Sequence, residues 1–189
     1  MTNVFEHLEA YAGEIVFGAS VDPDGKKMPF QIVQTAGGPY AGTTTFATLG
    51  LGKFPLPNGK LSEDERLIRH ELVMVVPSDA VPTNIIALMY LVAMETISRN
   101  AALLRGEMLG PRSVLFKGYE PKALYASIPV CFADGFGSVC EEGIGDIAMV
   151  WLIPLIDSEV RYMQTHGWSA LEDKWVESDP DLVDYRRKS

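Results

Sequence analysis

The segment that most constrains the fold is residues 67–77, where two opposite charges precede an uninterrupted apolar run. Side chains in an extended strand alternate between two faces. One face is therefore apolar throughout: Leu72, Met74 and Val76. The other face begins with Arg69 and Glu71 and then becomes apolar, and Pro77 ends the strand because it has no N–H to donate. We predict a central, largely buried strand.

An apolar helix follows this strand, over residues 84–99. Pro82 suits a first helical turn, and apolar side chains then recur at a spacing near 3.6: Ile85, Leu88, Met89, Val92 and Ile97. Ile86, Leu91 and Met94 widen the apolar stripe until most of the helix is expected to be buried. The pattern predicts a long core helix.

The residues before the central strand predict one helix and three more strands. Thr2 caps the helix and Gly13 ends it. The strands are expected at 15–21, 30–34 and 40–51, separated by turns rich in proline and glycine. Connections this short favour an antiparallel meander.

The residues after the long helix predict more strands and two C-terminal helices. The predicted elements are a short strand at 114–116, a strand at 124–132, a glycine-rich acidic loop at 134–145, a strand at 147–153 ended by Pro154, a helix capped by Asp157 and ended by Gly167, and a last helix with a capping box at 169–172. This order predicts an α+β domain with an antiparallel or mixed sheet. We expect a single domain over 1–176 and a polar tail over 177–189, docked through Leu182 and Tyr185.

Charge and composition narrow the classes of partner. The chain has 189 residues, a net charge of −9 and a pI near 4.8, which argues against nucleic acid and anionic membranes and suits a basic protein partner. The alternative is that the acidity serves only solubility. The N-terminus resembles no signal peptide, and the apolar run at 85–94 is too short to span a bilayer. We therefore expect a cytoplasmic protein in which Cys131 and Cys140 are reduced.

The sequence contains partial matches to metal-binding and dinucleotide-binding motifs, but none is complete. His70 and Glu71 begin the zinc-protease pattern H-E-x-x-H, but Met74 occupies the position of the second histidine. Residues 143–148 match G-x-G-x-x-A, yet acidic residues surround them and a strand follows where the dinucleotide motif requires a helix. Buried, inert cysteine is the commoner state of Cys131 and Cys140. We predict no metal site, no cofactor and no catalytic residue.

The charged pair in the central strand has two interpretations. Arg69 and Glu71 could lie on a solvated strand face, where an ion pair contributes ~0–1 kcal/mol. Alternatively, Glu71 is partly buried and held by an arginine, either Arg69 or a distant one such as Arg161. Removal of that arginine would then cost ~3–5 kcal/mol.

Several segments together carry a resemblance to one family: residues 48–51 (TLGL), 69–74 (RHELVM) and 151–156 (WLIPLI), followed by Glu159, Gly167 and Leu171. In this order and spacing they resemble the suppressor-of-fused domain, from about Tyr11 to Trp175. Four positions match the family pattern, in an architectural or a binding role: Arg69, Glu71, Trp151 and Glu159.

The resemblance implies an α+β sandwich without a catalytic site. In animals the family implies sequestration of a transcription factor, whose short peptide is gripped as an added strand between two domains. We expect no second domain in 189 residues, so the residues that grip the peptide are not carried over. Small, stand-alone bacterial members imply immunity proteins that bind and neutralise toxins.

Three functional classes remain at this stage. The first is a non-enzymatic, immunity-like or sequestering module that binds a toxin or another basic protein. Its expected contacts are two acidic loops: Glu63, Asp64 and Glu65 in one, and Glu141, Glu142 and Asp146 in the other. The second is a hydrolase with a dispersed site of Asp, Glu and His70. The third is a structural subunit that associates through exposed strand edges or apolar patches.

Overall fold

The computed structural model describes residues 2–22, 24–58 and 67–188, which form ten strands and four helices. The helices are α1 Val4–Ala12, α2 Ile85–Arg99, α3 Asp157–His166 and α4 Trp168–Ser178. The strands are β1 Ile15–Val21, β2 Lys27–Thr35, β3 Thr43–Leu49, β4 Leu56–Pro57, β5 Leu67–Ile68, β6 His70–Pro77, β7 Met108–Leu109, β8 Ala123–Ser127, β9 Ser138–Glu141 and β10 Gly145–Leu155.

One mixed sheet forms the frame of the molecule. Its strand order is β1-β2-β3-β6-β10-β8-β7, with β9 paired to β10. The pairing from β1 through β6 is antiparallel, as the short connections predict, while β6 and β10 run parallel. Strands β4 and β5 make a separate two-stranded ladder. The predicted α+β class is confirmed.

The central strand β6 separates two apolar layers. Leu72, Met74 and Val76 pack in the layer that contains the core helix α2. Val73 and Val75 face the opposite layer, which includes residues of α1, α3 and α4. The alternation of side chains along β6 therefore places one helix on one side of the sheet and three on the other.

Several boundaries differ from the predicted ones near helix starts. Helix α1 is capped by Asn3 rather than Thr2: the Asn3 side chain accepts from Glu6 N at 2.8 Å, and the Glu6 carboxylate accepts from Asn3 N at 3.3 Å. Helix α3 has Ile156 at its N-cap position instead of Asp157. The capping box predicted at 169–172 is wrong, because α4 begins at Trp168 directly after Gly167.

Tertiary pairing also overrides local signals in the second half of the chain. Residues 114–116 form no strand, and the short strand lies at β7 instead. The glycine-rich loop contains β9, which pairs with β10 as a hairpin. Strand β10 continues through Pro154 to Leu155, although Pro154 was predicted to end it. Strand β6 pairs with β10 only as far as Trp151. The Pro154 carbonyl instead accepts from Arg187 Nη2 at 2.6 Å.

The residues after α4 pack on the domain. Val183 and Tyr185 are buried, and the Tyr185 hydroxyl donates to the Ala80 carbonyl at 2.7 Å. The division of the chain at residue 176 stays a prediction. Within the described part of the chain, no helix combines the length and the hydropathy that a membrane crossing requires.

Candidate functional site

The Glu71 carboxylate lies in a cage of hydrogen-bond donors. The side chain is fully buried, and Oε1 accepts from Gly50 N and Gly52 N, each at 2.9 Å. Oε2 accepts from Leu51 N at 3.2 Å and from Thr48 Oγ1 at 2.5 Å. Glu71 thereby fixes the turn between β3 and the short 3-10 helix Leu51–Lys53 to the central strand.

Because of this cage, Arg69 and Glu71 are neither a solvated ion pair nor a buried glutamate held by an arginine. Glu71 is not solvated, and its hydrogen-bond partners among the described residues are a hydroxyl and three backbone amides rather than an arginine. Arg69 Nη1 instead donates to the Gly52 carbonyl at 2.9 Å, so it holds the same turn from its other side. Burial raises the pKa of the Glu71 carboxyl to about 7, against the lowering effect of its hydrogen bonds.

His70 lies on the opposite face of the same strand. It is 1% exposed, and neither ring nitrogen has a hydrogen-bond partner among the described residues. Burial lowers the pKa of the imidazole to about 4. Because neighbours in a strand point to opposite faces, His70 and Glu71 do not converge on one substrate.

The described residues also assemble no nucleophilic site and no metal site. Burial raises the pKa of the Cys131 thiol to about 12, and a hydrogen bond with Asp146 raises the pKa of Cys140. Both cysteines are free. In the described ranges no group of three His, Cys, Asp or Glu side chains is arranged to hold a metal ion.

Glu159 is the carboxylate that an arginine does hold. Arg187 Nη2 lies 2.9 Å from Glu159 Oε2, with the two side chains only 11% and 10% exposed. Glu159 Oε2 also accepts from Ile156 N at 2.9 Å, and Oε1 accepts from Trp175 Nε1 at 2.9 Å. Arg187 could not be predicted as the partner of Glu159, because no local pattern marks an arginine 28 residues away.

The predicted acidic contacts fall into three situations. Glu141 is partly buried and its carboxylate accepts from Val4 N at 3.0 Å, so it caps the start of α1. Glu142 is exposed in the turn of the β9–β10 hairpin, and Asp146 is exposed near the start of β10, where it pairs with Cys140. Glu63, Asp64 and Glu65 lie outside the described residues.

The outer edge of β1 is the feature most suited to binding. β1 is the first strand in the sheet order, so one of its sides pairs with β2 and no described strand pairs with the other. Val16, Phe17 and Val21 are 56%, 48% and 51% exposed. No charged residue interrupts residues 15–21. The register of β1 with β2 shifts between Ile15 and Phe17 and again between Ala19 and Val21. An uncharged edge with exposed apolar side chains is the kind that pairs with another strand.

A cavity of about 350 Å³ adjoins this edge. Its wall includes Ser20 of β1, Phe30 of β2 and the caged Glu71. Lys27, Lys53 and Glu141 bring charges of both signs to the wall. Two carboxylates, those of Glu71 and Glu141, line the cavity, but no described histidine joins them as the predicted hydrolase site would require.

Comparison with known proteins identifies the family of the chain. The family model described as suppressor of fused protein matches residues 26–188, which is most of the chain. The chain belongs to the suppressor of fused family. No curated protein matches the chain significantly.

Solved structures of this family share the fold at low sequence identity. The crystal structure of a suppressor of fused homologue from Neisseria gonorrhoeae has a TM-score of 0.70 and 18% identity, covering 97% of this chain and 92% of that one. A Sufu–Fu complex crystal structure has a TM-score of 0.70 and 13% identity, covering 98% and 90%. Drosophila Suppressor of Fused has a TM-score of 0.62 and 13% identity, covering 85% of this chain and 43% of that one.

Proposed function

We propose that this protein is a non-enzymatic module that binds a partner protein at the outer edge of β1. An extended segment of the partner adds to the sheet as a further strand. Main-chain hydrogen bonds then supply affinity, and contacts with Val16, Phe17 and Val21 supply selectivity. The observation that carries the proposal is the unpaired, uncharged edge with its three exposed apolar side chains.

The family supports a binding role. A suppressor of fused structure has been solved as a Sufu–Fu complex, and this chain shares its fold. A role in binding also agrees with the geometry around β6. Glu71 lines the cavity beside β1 but its carboxylate accepts from four donors, and His70 is buried on the opposite face of the strand. The described residues therefore bring no histidine to this cavity, as the hydrolase alternative would require.

The partner is expected to be basic. The chain carries a net charge of −9, and Glu142 and Asp146 present carboxylates on the β9–β10 hairpin. Complementary charge speeds the encounter of two proteins. Sequestration in the cytoplasm, in the manner of an immunity protein that holds a toxin, is the form of binding that we propose.

The experiment compares two exposed apolar positions. The purified protein captures partners from an extract of its own cells, and the captured protein is identified and its affinity measured. Phe17→Lys places a charge on the β1 edge, while Val176→Lys changes an 84% exposed valine on α4. We expect Phe17→Lys to abolish binding and Val176→Lys to leave it unchanged. Equal affinity of both variants would contradict the proposal.

A second copy of the chain is the other candidate for this edge, because an apolar edge also suits self-pairing. Light scattering at rising protein concentration separates the two. A dimer that Phe17→Lys converts to a monomer would assign the edge to self-association. A wild-type protein that stays monomeric at high concentration leaves the edge to a different protein.

A further inference from the structure

The two faces of β1 offer different surroundings to the side chains of an added strand. Directly opposite residues of paired strands point to the same face of a sheet. Ala19 pairs with Ile32, which packs in the layer of α2. Phe17 is two positions earlier and therefore lies on this same face. On the α2 side, an added strand meets the exposed ring of Phe17.

The other face of β1 opens toward the cavity of about 350 Å³. Gly18 pairs with Val33 of the opposite layer, and Ser20 lines the cavity. A Cβ atom on Gly18 would lie 3.8 Å from both Gln31 Oε1 and Val33 Cγ1, so Gly18 belongs to this face. Because Gly18 and Ser20 carry little or no side chain, a side chain of an added strand can pass over β1 toward β2.

Two lysines line this cavity without a partner in the described chain. Lys27 of β2 and Lys53 of the 3-10 helix form no ion pair with any described residue. Lys53 folds back over the turn before it, since a methyl group on Gly50 would lie 3.9 Å from Lys53 Nζ. The same methyl group would lie 3.9 Å from Phe30 Cα, so the ammonium group lies beside the cavity wall.

The carboxylates of the same wall are already bound within the chain. Glu71 accepts from its four donors, and Glu141 accepts from Val4 N at the start of α1. Arginines elsewhere are paired as well, as Arg105 and Arg112 are with glutamates. The groups of this wall that remain free to form an ion pair are therefore cationic, on a protein whose net charge is −9.

We propose that the strand added at β1 carries an acidic side chain on the face of Gly18 and Ser20, and that Lys27 binds its carboxylate. Lys53 adds to the attraction. Neighbouring strands lie about 4.8 Å apart, so the added strand is about 10 Å from β2. A glutamate and a lysine that extend toward each other can span this gap. This inference rests on the proposed function, since it names a side chain of the strand that the partner adds.

One acid in the paired strand agrees with a basic partner. The net charges of the two proteins govern the rate of encounter, whereas the groups that meet at one position decide which side chain is accepted there. A lysine or arginine at this position would face like charges. The neighbouring positions of the added strand point to the face of Phe17, so the inference predicts an acidic residue between two apolar ones.

The test uses two peptides that differ only in the charge of the central residue. Acetyl-Thr-Thr-Val-Glu-Val-Thr-Thr-amide has strand-forming residues around one glutamate, and glutamine replaces the glutamate in the matched peptide. Each peptide is titrated into the ¹⁵N-labelled full-length chain at pH 7 and low salt. We expect the amide signals of residues 16–21 to shift with both, and the glutamate peptide to bind about fivefold more tightly.

Two double variants assign this preference to the cavity. Lys27→Met with Lys53→Met keeps long side chains but removes both charges, so the two peptides should bind it equally. Lys117→Met with Arg161→Met removes two exposed charges that do not line the cavity, and should keep the fivefold preference. The comparison holds the lost charge constant and changes only its place.

Three results would overturn the inference: signals of residues 16–21 that do not move, equal affinity of the two peptides for the wild type, or a glutamate preference that survives loss of Lys27 and Lys53. These failures are distinct from failure of the proposed function. Peptides that bind equally well at residues 16–21, and no longer bind after Phe17→Lys, would leave the β1 edge as the binding site and remove the acidic residue from it.

Discussion

Position 71 shows how a single side chain can fix a turn that is distant in sequence. Four donors surround the Glu71 carboxylate, and the hydroxyl of Thr48 both donates to Glu71 and accepts from Leu72 N at 2.8 Å. An acceptor-only group suits this cage, because an N–H placed there would face other N–H groups. The alternation of β6 predicted which face Glu71 occupies, but the donors come from a turn about 20 residues earlier.

Glu71→Gln tests the cage directly. The variant keeps the shape and turns one acceptor into a donor, so we expect the free energy of unfolding at pH 5, where the contribution of Glu71 is retained, to fall by about 3 kcal/mol. Arg69→Ala is the comparison, since it removes one bond to a backbone carbonyl and should cost about 1 kcal/mol. Urea unfolding measures both. A larger loss for Arg69→Ala would show that the arginine, not the cage, anchors this turn.

His70 gives a prediction about pH. Its pKa is lowered from 6.5 to about 4 on folding, so the unfolded chain binds the extra proton between these values and stability is lost as the pH falls. Glu71 acts oppositely: its pKa is raised from 4.5 to about 7, so its contribution is lost as the pH rises through that window. In the wild type, the effects of His70 and Glu71 on the pH dependence of stability therefore oppose each other.

The comparison with His70→Leu isolates the histidine, because Glu71 is present in both proteins. From pH 7.5 to pH 5.5 we expect the wild type to lose about 1.4 kcal/mol of stability relative to the variant. Urea unfolding at the two pH values gives the difference. A difference in free energy of unfolding between the two proteins that stays constant from pH 7.5 to pH 5.5 would mean that His70 is not buried in its neutral form.

At the scale of elements, side-chain periodicity predicted the helices and the faces of strands but not which strands pair. The two faces of β6 and the long helix α2 follow from side-chain spacing within one segment. The place of β1 at the sheet edge, and the hairpin formed by β9 within an acidic, glycine-rich stretch, depend on which strands meet in the folded chain. A sequence pattern carries no record of that order.

The segment after α4 is held by an arginine that sequence could not identify. Arg187→Ala leaves the buried Glu159 carboxylate without its cation, and we expect it to cost about 3 kcal/mol in the free energy of unfolding. The neighbouring Arg186 pairs with Asp184 at 2.7 Å with both side chains about a third exposed, so Arg186→Ala should cost less than 1 kcal/mol. Similar losses in the two variants would show that the Glu159 pair is no stronger than a surface one.

For the whole molecule, the sequence predicted the fold class and the acidic character, but not which of the named acids the fold itself uses. Glu141 is committed to the start of α1, and Glu142 and Asp146 remain exposed beside it. A surface of this sign should speed association with a basic protein and make that rate depend on salt.

Charge reversal on the β9–β10 hairpin tests this surface. Glu142→Lys with Asp146→Lys should slow association with the captured partner and flatten its dependence on ionic strength. Stopped-flow measurements from low to high salt give both quantities, with Asp173→Lys and Glu177→Lys on α4 as the control of equal charge. If both variants slow association equally, net charge matters and the hairpin itself does not.

The most direct test of the central claim is hydrogen exchange of the backbone amides with and without the captured partner. If the partner adds a strand to the sheet, the amides of residues 16–21 that point away from β2 gain new acceptors and their exchange slows strongly on binding. We predict that this protection is the largest in the chain. Unchanged exchange over residues 15–21 in a saturated complex, with protection elsewhere, would contradict the account.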